Sequence, residues 1–156
     1  SMLNCRIDGL NNYKPDLFII DLNMKLKKNL LLNKIIKKRK TILITLKHNE
    51  KKTNFFKKKG FKIFLIESLL DKNDFLLMFK KIYKLGYSKI FFETGLTFLN
   101  SLIKYKLLNN LYVFQNNKKL GKNGLNNNQV NYLKKMRFNK KIKVNLYDDT
   151  LYKINF

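Results

Sequence analysis

The sequence of 156 residues has one cysteine, one proline, six glycines, and neither tryptophan nor alanine. A single cysteine, Cys5, cannot form an internal disulfide, so a disulfide-stabilised secreted scaffold is excluded. No apolar run approaches the ~18 residues that cross a bilayer, and the first residues do not resemble a secretory signal. We therefore expect a cytoplasmic protein.

The sequence also lacks the residue patterns that metal binding and nucleophilic catalysis require. With one cysteine, one histidine and acidic residues that stand singly apart from Asp148-Asp149, the chain has no cluster at metal-ligand spacing, and we expect no metal. Cys5 and His48 alone make no catalytic triad. Neither a Walker A motif nor a complete GxGxxG is present. For His48, between a predicted strand and helix, we favour a solvated loop position.

Acidic residues are scarce, at 10 against 34 Lys and Arg, which gives a formal net charge of +24. Such a charge points to nucleic acid or an anionic membrane. Only Arg6, Arg39 and Arg137 are arginine, however, and arginine is the residue that recognises bases and phosphates with a rigid fork of donors. The abundance of Lys, Asn, Ile, Leu and Phe favours an AT-rich codon composition as the source of the charge. We expect no specific nucleic acid and no membrane as partner, and a basic nucleic-acid-binding module is the alternative.

Hydrophobic residues make up 45% of the chain, which is enough to form the core of one packed domain over residues 1–156. Short apolar runs are typical of strands buried on both faces; they lie at residues 17–20, 41–46, 61–66, 89–92 and 111–114. Helices are predicted over residues 50–59, 74–85 and 96–105. This alternation predicts a mainly parallel sheet with right-handed crossovers and helices on its faces.

Caps and spacing define the predicted helices. Asp74 is the expected cap of the second helix and Gly86 its stop; its apolar face comprises Phe75, Met78, Phe79, Ile82 and Leu85. In the third helix the expected buried residues are Leu99, Leu102 and Ile103. The Asn- and Lys-rich stretch 116–129 is either disordered or a turn anchored by Leu120 and Leu125. Residues 132–138, 142–147 and 150–156 resemble strands, which predicts an antiparallel finish.

One segment combines features of a ligand site. An apolar run at residues 89–92 leads into Glu93, turns at Gly95 and enters a predicted helix. Ligands of open α/β sheets bind at the carboxyl ends of strands, and a helix N-terminus attracts phosphate. Glycine permits close backbone approach. The alternative is that Glu93 caps the helix and Gly95 merely turns the chain.

At these residues the chain resembles a known family. Residues 86–124 are similar to the reductase domain of bifunctional riboflavin-biosynthesis deaminase/reductase proteins, where an apolar strand ends in Glu-Gly-Gly before a helix and a Leu-Gly-Gly turn follows. Thr94 stands where that family has its first glycine. Other landmarks occur in the same order, namely Leu3-Asn4-Cys5-Arg6, Gly9-Leu10, Pro15, Asp21 and Asp148-Asp149-Thr150-Leu151.

The resemblance implies a fold and an activity. The fold is α/β, dihydrofolate-reductase-like and three-layered, with a mainly parallel sheet flanked by helices and an antiparallel C-terminal finish. The activity is NADPH-dependent reduction of the ribosyl side chain of 5-amino-6-(5-phosphoribosylamino)uracil to ribityl, in a homodimer. Family domains begin upstream of the position of Leu3, so we expect this chain to lack their first strand and helix and to turn over slowly or not at all alone. An inactive dimerising remnant is the further alternative.

The resemblance also implies site residues. Leu3, Arg6 and Glu93 match substrate contacts, and Arg6 suits the ribose phosphate because of its fork of donors. Positions matching contacts to NADPH are Thr45, Gly95, Leu96, Thr97, Phe98, Leu99, Asn100 and Ser101. No residue can be named as the general acid.

Overall fold

The computed structural model describes residues 15–30, 32, 36–116, 136–138, 140–144 and 148–156. The chain forms two compact units, an amino-terminal unit (Ser1–Tyr87) and a carboxyl-terminal unit (Ser88–Phe156). Strands and helices occur in both, which confirms an α/β protein. No helix among the described residues is long and apolar enough to cross a membrane.

A parallel three-stranded sheet forms the centre of the amino-terminal unit. Its strands are β1 (Leu17–Ile20), β2 (Thr41–Leu46) and β3 (Lys62–Ile66), in the order β1-β2-β3. Leu17 pairs with Thr41 and Ile42 with Lys62, both in parallel register. Since β2 lies between the other two strands, its residues 41–45 are all buried. The three strands predicted in this unit are thereby confirmed.

The connections between these strands are short helical segments. A 3-10 turn (Ile36–Lys38) precedes β2, and a longer one (Lys47–Thr53) follows it and continues into α1 (Asn54–Lys59). The helix predicted over residues 50–59 is therefore partly 3-10. It ends at Gly60, whose φ of +100° is left-handed and favours glycine.

Aromatic packing closes the core beside this sheet. Leu43 is completely buried and shares a cluster with Ile36, Phe56 and Phe61. The Phe56 ring meets those of Phe55 and Phe61 edge-on, with both pairs of ring centroids 5.3 Å apart. Such T-shaped pairs align ring edges with ring faces and add to the stabilisation from burial.

Helix α2 (Lys72–Lys84) begins two residues before the expected cap, Asp74. Asp71 is the N-cap, and its Oδ1 accepts a hydrogen bond from the Asp74 backbone N at 3.0 Å. The Asp74 side chain accepts from the Asp71 backbone in return, so the two carboxylates form a capping box. Asp74 was therefore wrongly predicted as the cap, because both are good capping residues and only the backbone geometry distinguishes them.

The predicted apolar face of α2 is largely confirmed. Phe75, Met78 and Ile82 are buried. Leu85 is instead 53% exposed, because it is the C-cap and the helix turns away there. Gly86 follows with φ +94° and ends the helix as expected.

The carboxyl-terminal unit holds α3 (Leu96–Lys104) and an antiparallel sheet. Its strands are β4 (Asn110–Asn116), β5 (Lys140–Ile142) and β6 (Asp149–Asn155), in the order β4-β6-β5. The strand at residues 111–114 was predicted in the parallel sheet, but β4 pairs with β6 in antiparallel register along its whole length. In α3, Leu102 and Ile103 are buried as expected and Leu99 is half-buried.

Three other predicted strands differ. Residues 89–92 have no strand structure, and Phe91 is 77% exposed. Residues 136–138 of the strand predicted at 132–138 are likewise not in a strand. Of the strand predicted at 142–147, Ile142 ends β5 and residues 143–144 are not in a strand. Residues 132–135, residues 145–147 and the stretch 117–129 lie outside the described residues.

Candidate functional site

The candidate site is the irregular segment that leads into α3. Glu93, Thr94 and Gly95 are all exposed, and α3 begins at the next residue. The Phe92 ring packs on the Phe98 ring with centroids 5.9 Å apart. This contact holds the segment against the first turn of the helix. Since Glu93 is the residue after Phe92, the ring contact also positions the backbone of Glu93.

Gly95 is the N-cap of α3, a position where glycine is common but where neither the backbone conformation nor the packing requires it. Its φ of −73° and ψ of 165° are extended values that any residue adopts. A Cβ added to Gly95 would meet no atom within 4 Å. By contrast, Gly60 and Gly86 both have a positive φ, which explains their identity. The space over the Gly95 backbone is therefore open to an incoming group.

The electrostatics of this helix end favour an anion. The N-cap residue is Gly95, which has no side chain to bond the first helical N–H groups, and the first turn carries no acidic residue. A helix N-terminus has a partial positive charge, and neither the cap residue nor the first turn supplies a carboxylate to neutralise it. Gly95 rather than Glu93 occupies the N-cap position.

The remaining residues predicted for the cofactor differ in exposure. Thr97 is exposed, while Leu96, Phe98, Leu99, Asn100 and Ser101 are half-buried. The Ser101 hydroxyl donates to the Thr97 carbonyl at 3.3 Å, inside the helix. Surface available to a ligand is thus concentrated at Glu93, Gly95 and Thr97, at the start of the helix.

Thr45 lies in the amino-terminal unit, whereas the segment before α3 belongs to the other unit. Its side chain is fully buried, and its hydroxyl donates to the Leu22 carbonyl at 3.4 Å. Asn49 Nδ2 donates to the same carbonyl at 2.8 Å and to the Thr45 hydroxyl at 3.3 Å. The Thr45 hydroxyl is therefore engaged in holding the chain that leaves β1. Leu3 and Arg6 lie outside the described residues.

Asp21, a landmark of the resemblance, also organises the chain after β1. Its two carboxylate oxygens accept hydrogen bonds from the backbone N–H groups of Lys25 at 2.9 Å and Leu26 at 2.6 Å. Lys47 and Glu67, at the ends of β2 and β3, form an exposed ion pair at 3.1 Å. Polar side chains at this edge of the parallel sheet thus bond mainly to one another and to the backbone.

A polar cluster at the opposite edge of the sheet was not predicted from the sequence. The Tyr87 hydroxyl donates a hydrogen bond to Asp16, and Lys40 Nζ lies 3.2 Å from the same carboxylate oxygen. The Tyr87 bond, followed by Lys40, lowers the pKa of Asp16 below its ordinary value despite partial burial. Burial and the bond to Asp16 raise the pKa of Tyr87. Tyr87 and Asp16 are 71 residues apart in the sequence, so no local sequence pattern predicts their contact.

Among the residues that the structure describes, no three of His, Cys, Asp and Glu gather into a cluster that could hold a metal ion. His48 lies exposed in the 3-10 turn after β2.

No protein-family model matches the sequence, and no curated protein matches it significantly. The residues before α3 and the order of motifs in the chain are therefore what indicates a function.

Proposed function

We propose that this protein is an NADPH-dependent reductase of riboflavin biosynthesis with a dihydrofolate-reductase-like fold, acting on the ribosyl side chain of 5-amino-6-(5-phosphoribosylamino)uracil. The family resemblance supplies the activity. Support from the fold is the α/β architecture, in which Glu93 and Gly95 stand exposed immediately before a helix.

The observation that carries the proposal is the open space over Gly95. Neither its backbone conformation nor a neighbouring atom requires a glycine at this position. Glycine is a favourable N-cap residue, and its missing Cβ also lets a ligand approach the backbone closely. A dinucleotide phosphate at a helix N-terminus is such a ligand, because its negative charge suits the positive end of the helix.

The residues have distinct roles in this proposal. Glu93 would accept hydrogen bonds from the pyrimidine or the sugar hydroxyls. The resemblance assigns substrate contacts to Leu3 and to Arg6, whose fork of donors suits the ribose phosphate. Gly95 and the first turns of α3, through Ser101, would hold the dinucleotide. Thr45 acts indirectly, since its hydroxyl holds the chain after β1. When bound, NADPH would supply a hydride to the anomeric carbon, whose ring carbon–oxygen bond would open as the oxygen takes a proton, and the protein would orient that carbon for the transfer.

Two glycine variants test the proposal by NADPH titration with fluorescence detection. Gly95→Ala should lose no more than about 1 kcal/mol of stability, because the added methyl has room and only the poorer N-cap preference of alanine is lost, yet it should bind NADPH more weakly. Gly86→Ala is the matched control: its positive φ makes alanine cost about 1 kcal/mol of stability, while the folded protein keeps its NADPH affinity. Equal NADPH affinity in Gly95→Ala and the unmodified protein would contradict the assignment.

Turnover separates a reductase from an inactive remnant. We expect NADPH oxidation that depends on the phosphorylated ribosylaminopyrimidine, at a slow rate. Binding of NADPH without any substrate-dependent oxidation would instead identify a remnant that has kept the cofactor site.

A further inference from the structure

One face of the antiparallel sheet carries aromatic rings and lysines in neighbouring positions. Directly paired residues of antiparallel strands share a face, as do residues two apart in one strand. Tyr112 pairs with Lys153, which pairs in turn with Lys140 on β5. Phe114 lies on the same face in the next row, opposite Leu151. We call Tyr112, Phe114, Lys140 and Lys153 the aromatic–lysine face.

These rings are not part of the packing of the sheet. Tyr112 is 46% exposed and Phe114 64%. Leu111 and Val113, which alternate with them in β4, are half-buried on the opposite face. Tyr152 also lies on that opposite face, where the Phe138 ring packs on it with centroids 5.5 Å apart. Along β4, the half-buried side chains and the exposed rings therefore lie on opposite faces of the sheet.

The charge on this face is positive. Lys153 Nζ lies 5.9 Å from the centroid of the Tyr112 ring, so a cation and a ring are adjacent. Among the described strand residues of this face the one acid is Asp149, at the far end of the sheet, where its carboxylate accepts a hydrogen bond from Asn116 at 2.6 Å. A second copy of this face would oppose lysine with lysine, in a chain of net charge +24. Charge complementarity therefore selects a polyanion as the occupant.

We propose that the aromatic–lysine face binds single-stranded nucleic acid without sequence preference. Bases stack on the rings of Tyr112 and Phe114, and phosphates lie near Lys140 and Lys153. Single strands are bound in this way by proteins that combine exposed aromatic rings with a positive surface. Lysine is a point charge without the planar donor fork of arginine, so these contacts carry no base specificity. This binding surface is independent of the proposed reductase activity.

Substitutions at Phe114 separate stacking from simple apolar contact. Binding is measured by fluorescence anisotropy of a labelled oligothymidylate of about 15 nucleotides, at fixed salt. Phe114→Leu keeps an apolar side chain but removes the ring face, and the dissociation constant should rise roughly 5- to 100-fold, the range for losing one stacked base. Phe114→Tyr keeps a ring and should bind like the unmodified protein. The matched control is Tyr83→Leu on α2, which removes a ring that is 68% exposed elsewhere and should change nothing.

The same binding assay tests the role of the lysines and the class of partner that the aromatic–lysine face binds. Lys153→Gln should weaken binding and reduce the slope of log affinity against log salt by about one, because one phosphate contact is lost. Thermal melting checks that the Phe114 variants fold, as expected for an exposed side chain. Unchanged oligothymidylate affinity in Phe114→Leu, or an equal loss in Tyr83→Leu, would overturn the proposal. So would a Phe114→Leu defect confined to vesicles of phosphatidylserine and phosphatidylcholine, which would identify a membrane-binding face.

Discussion

Tyr87 connects the end of α2 to the start of β1, and replacing it with phenylalanine removes its hydroxyl alone. The hydroxyl donates to Asp16 and also bonds to Lys40. The ring separately meets Phe18 edge-on at 4.9 Å between centroids, and Lys40 Nζ lies 5.0 Å from the ring centroid. Phenylalanine retains both ring contacts. Tyr87→Phe therefore measures the hydroxyl's bonds to Asp16 and Lys40 with little change in packing.

We expect Tyr87→Phe to lower the free energy of unfolding by about 1 kcal/mol. Hydrogen bonds to charged groups contribute about 1.5–3 kcal/mol, and the Asp16 side chain, 28% exposed, regains water when the hydroxyl is removed. For a chain of this length the melting temperature should fall by roughly 2–4 °C. The assay is urea and thermal unfolding, with Asp16→Asn and the double variant completing a mutant cycle.

The difference in free energy of unfolding between Tyr87→Phe and the unmodified protein should depend on pH in a defined direction. Because the pKa of Asp16 is lowered in the folded state from 3.8, its contribution is present above that value and is lost as pH falls through the folded pKa. The pKa of Tyr87 is raised from 10.0, so its contribution is present below that value and is lost as pH rises through the folded pKa. The two proteins should differ most near neutral pH. A stability difference that persists unchanged into strong acid would refute the role of the Asp16 charge.

Other expectations concern the site, the cap and the assembly. Glu93→Gln should impair substrate-dependent NADPH oxidation while changing the free energy of unfolding by no more than about 0.5 kcal/mol, because Glu93 is exposed; a large loss of stability would instead favour a capping role for Glu93. Asp71→Ala should cost about 1 kcal/mol through loss of the N-cap bond, measured by urea unfolding, and no change would rule out the capping box. NADPH should bind more tightly than NADH in parallel titrations at physiological salt, and equal affinities would count against the phosphate site. Sedimentation at micromolar concentration should show a homodimer, and a monomer would refute the expected pairing.

The parallel sheet was predictable because its signal is local. Residues 41–46 are apolar on both faces, and Leu43 and Ile44 are indeed completely buried in the central strand. The two left-handed glycines after helices, Gly60 and Gly86, also follow from local backbone preference. Composition and spacing over a few residues are sufficient for such elements.

The failure at residues 89–92 has a different origin. These residues have strong strand preference, but a strand needs a partner for its backbone groups, and strand preference reports packing context more than backbone preference. The Phe92 ring packs on α3 through Phe98 instead. Similarly, β4 pairs with β6, about 40 residues later in the chain. Local sequence carries no information on which distant strand becomes a neighbour.

The candidate site likewise has features that the local sequence predicts and features that depend on distant residues. The order of Glu93, Gly95 and the helix is local, and the start of α3 was predicted at the correct residue. The engagement of the Thr45 hydroxyl with Leu22 depends on a chain 23 residues away. The bond from Tyr87 to Asp16 depends on a longer separation still. Long-range polar contacts of this kind decide which side chains remain available to a ligand.

The described glycines show what the structure adds to the sequence. In the sequence, Gly60, Gly86 and Gly95 all adjoin predicted helix ends and have the same interpretation as turns. Two of them have a positive φ, and their folding role is thereby explained. Gly95 has neither a positive φ nor a neighbouring atom that a Cβ would touch. A side chain at Gly95 should therefore hinder a bound ligand more than it disturbs the fold. We expect Gly95→Ala to change NADPH affinity more than stability, and Gly86→Ala to change stability while NADPH affinity stays the same.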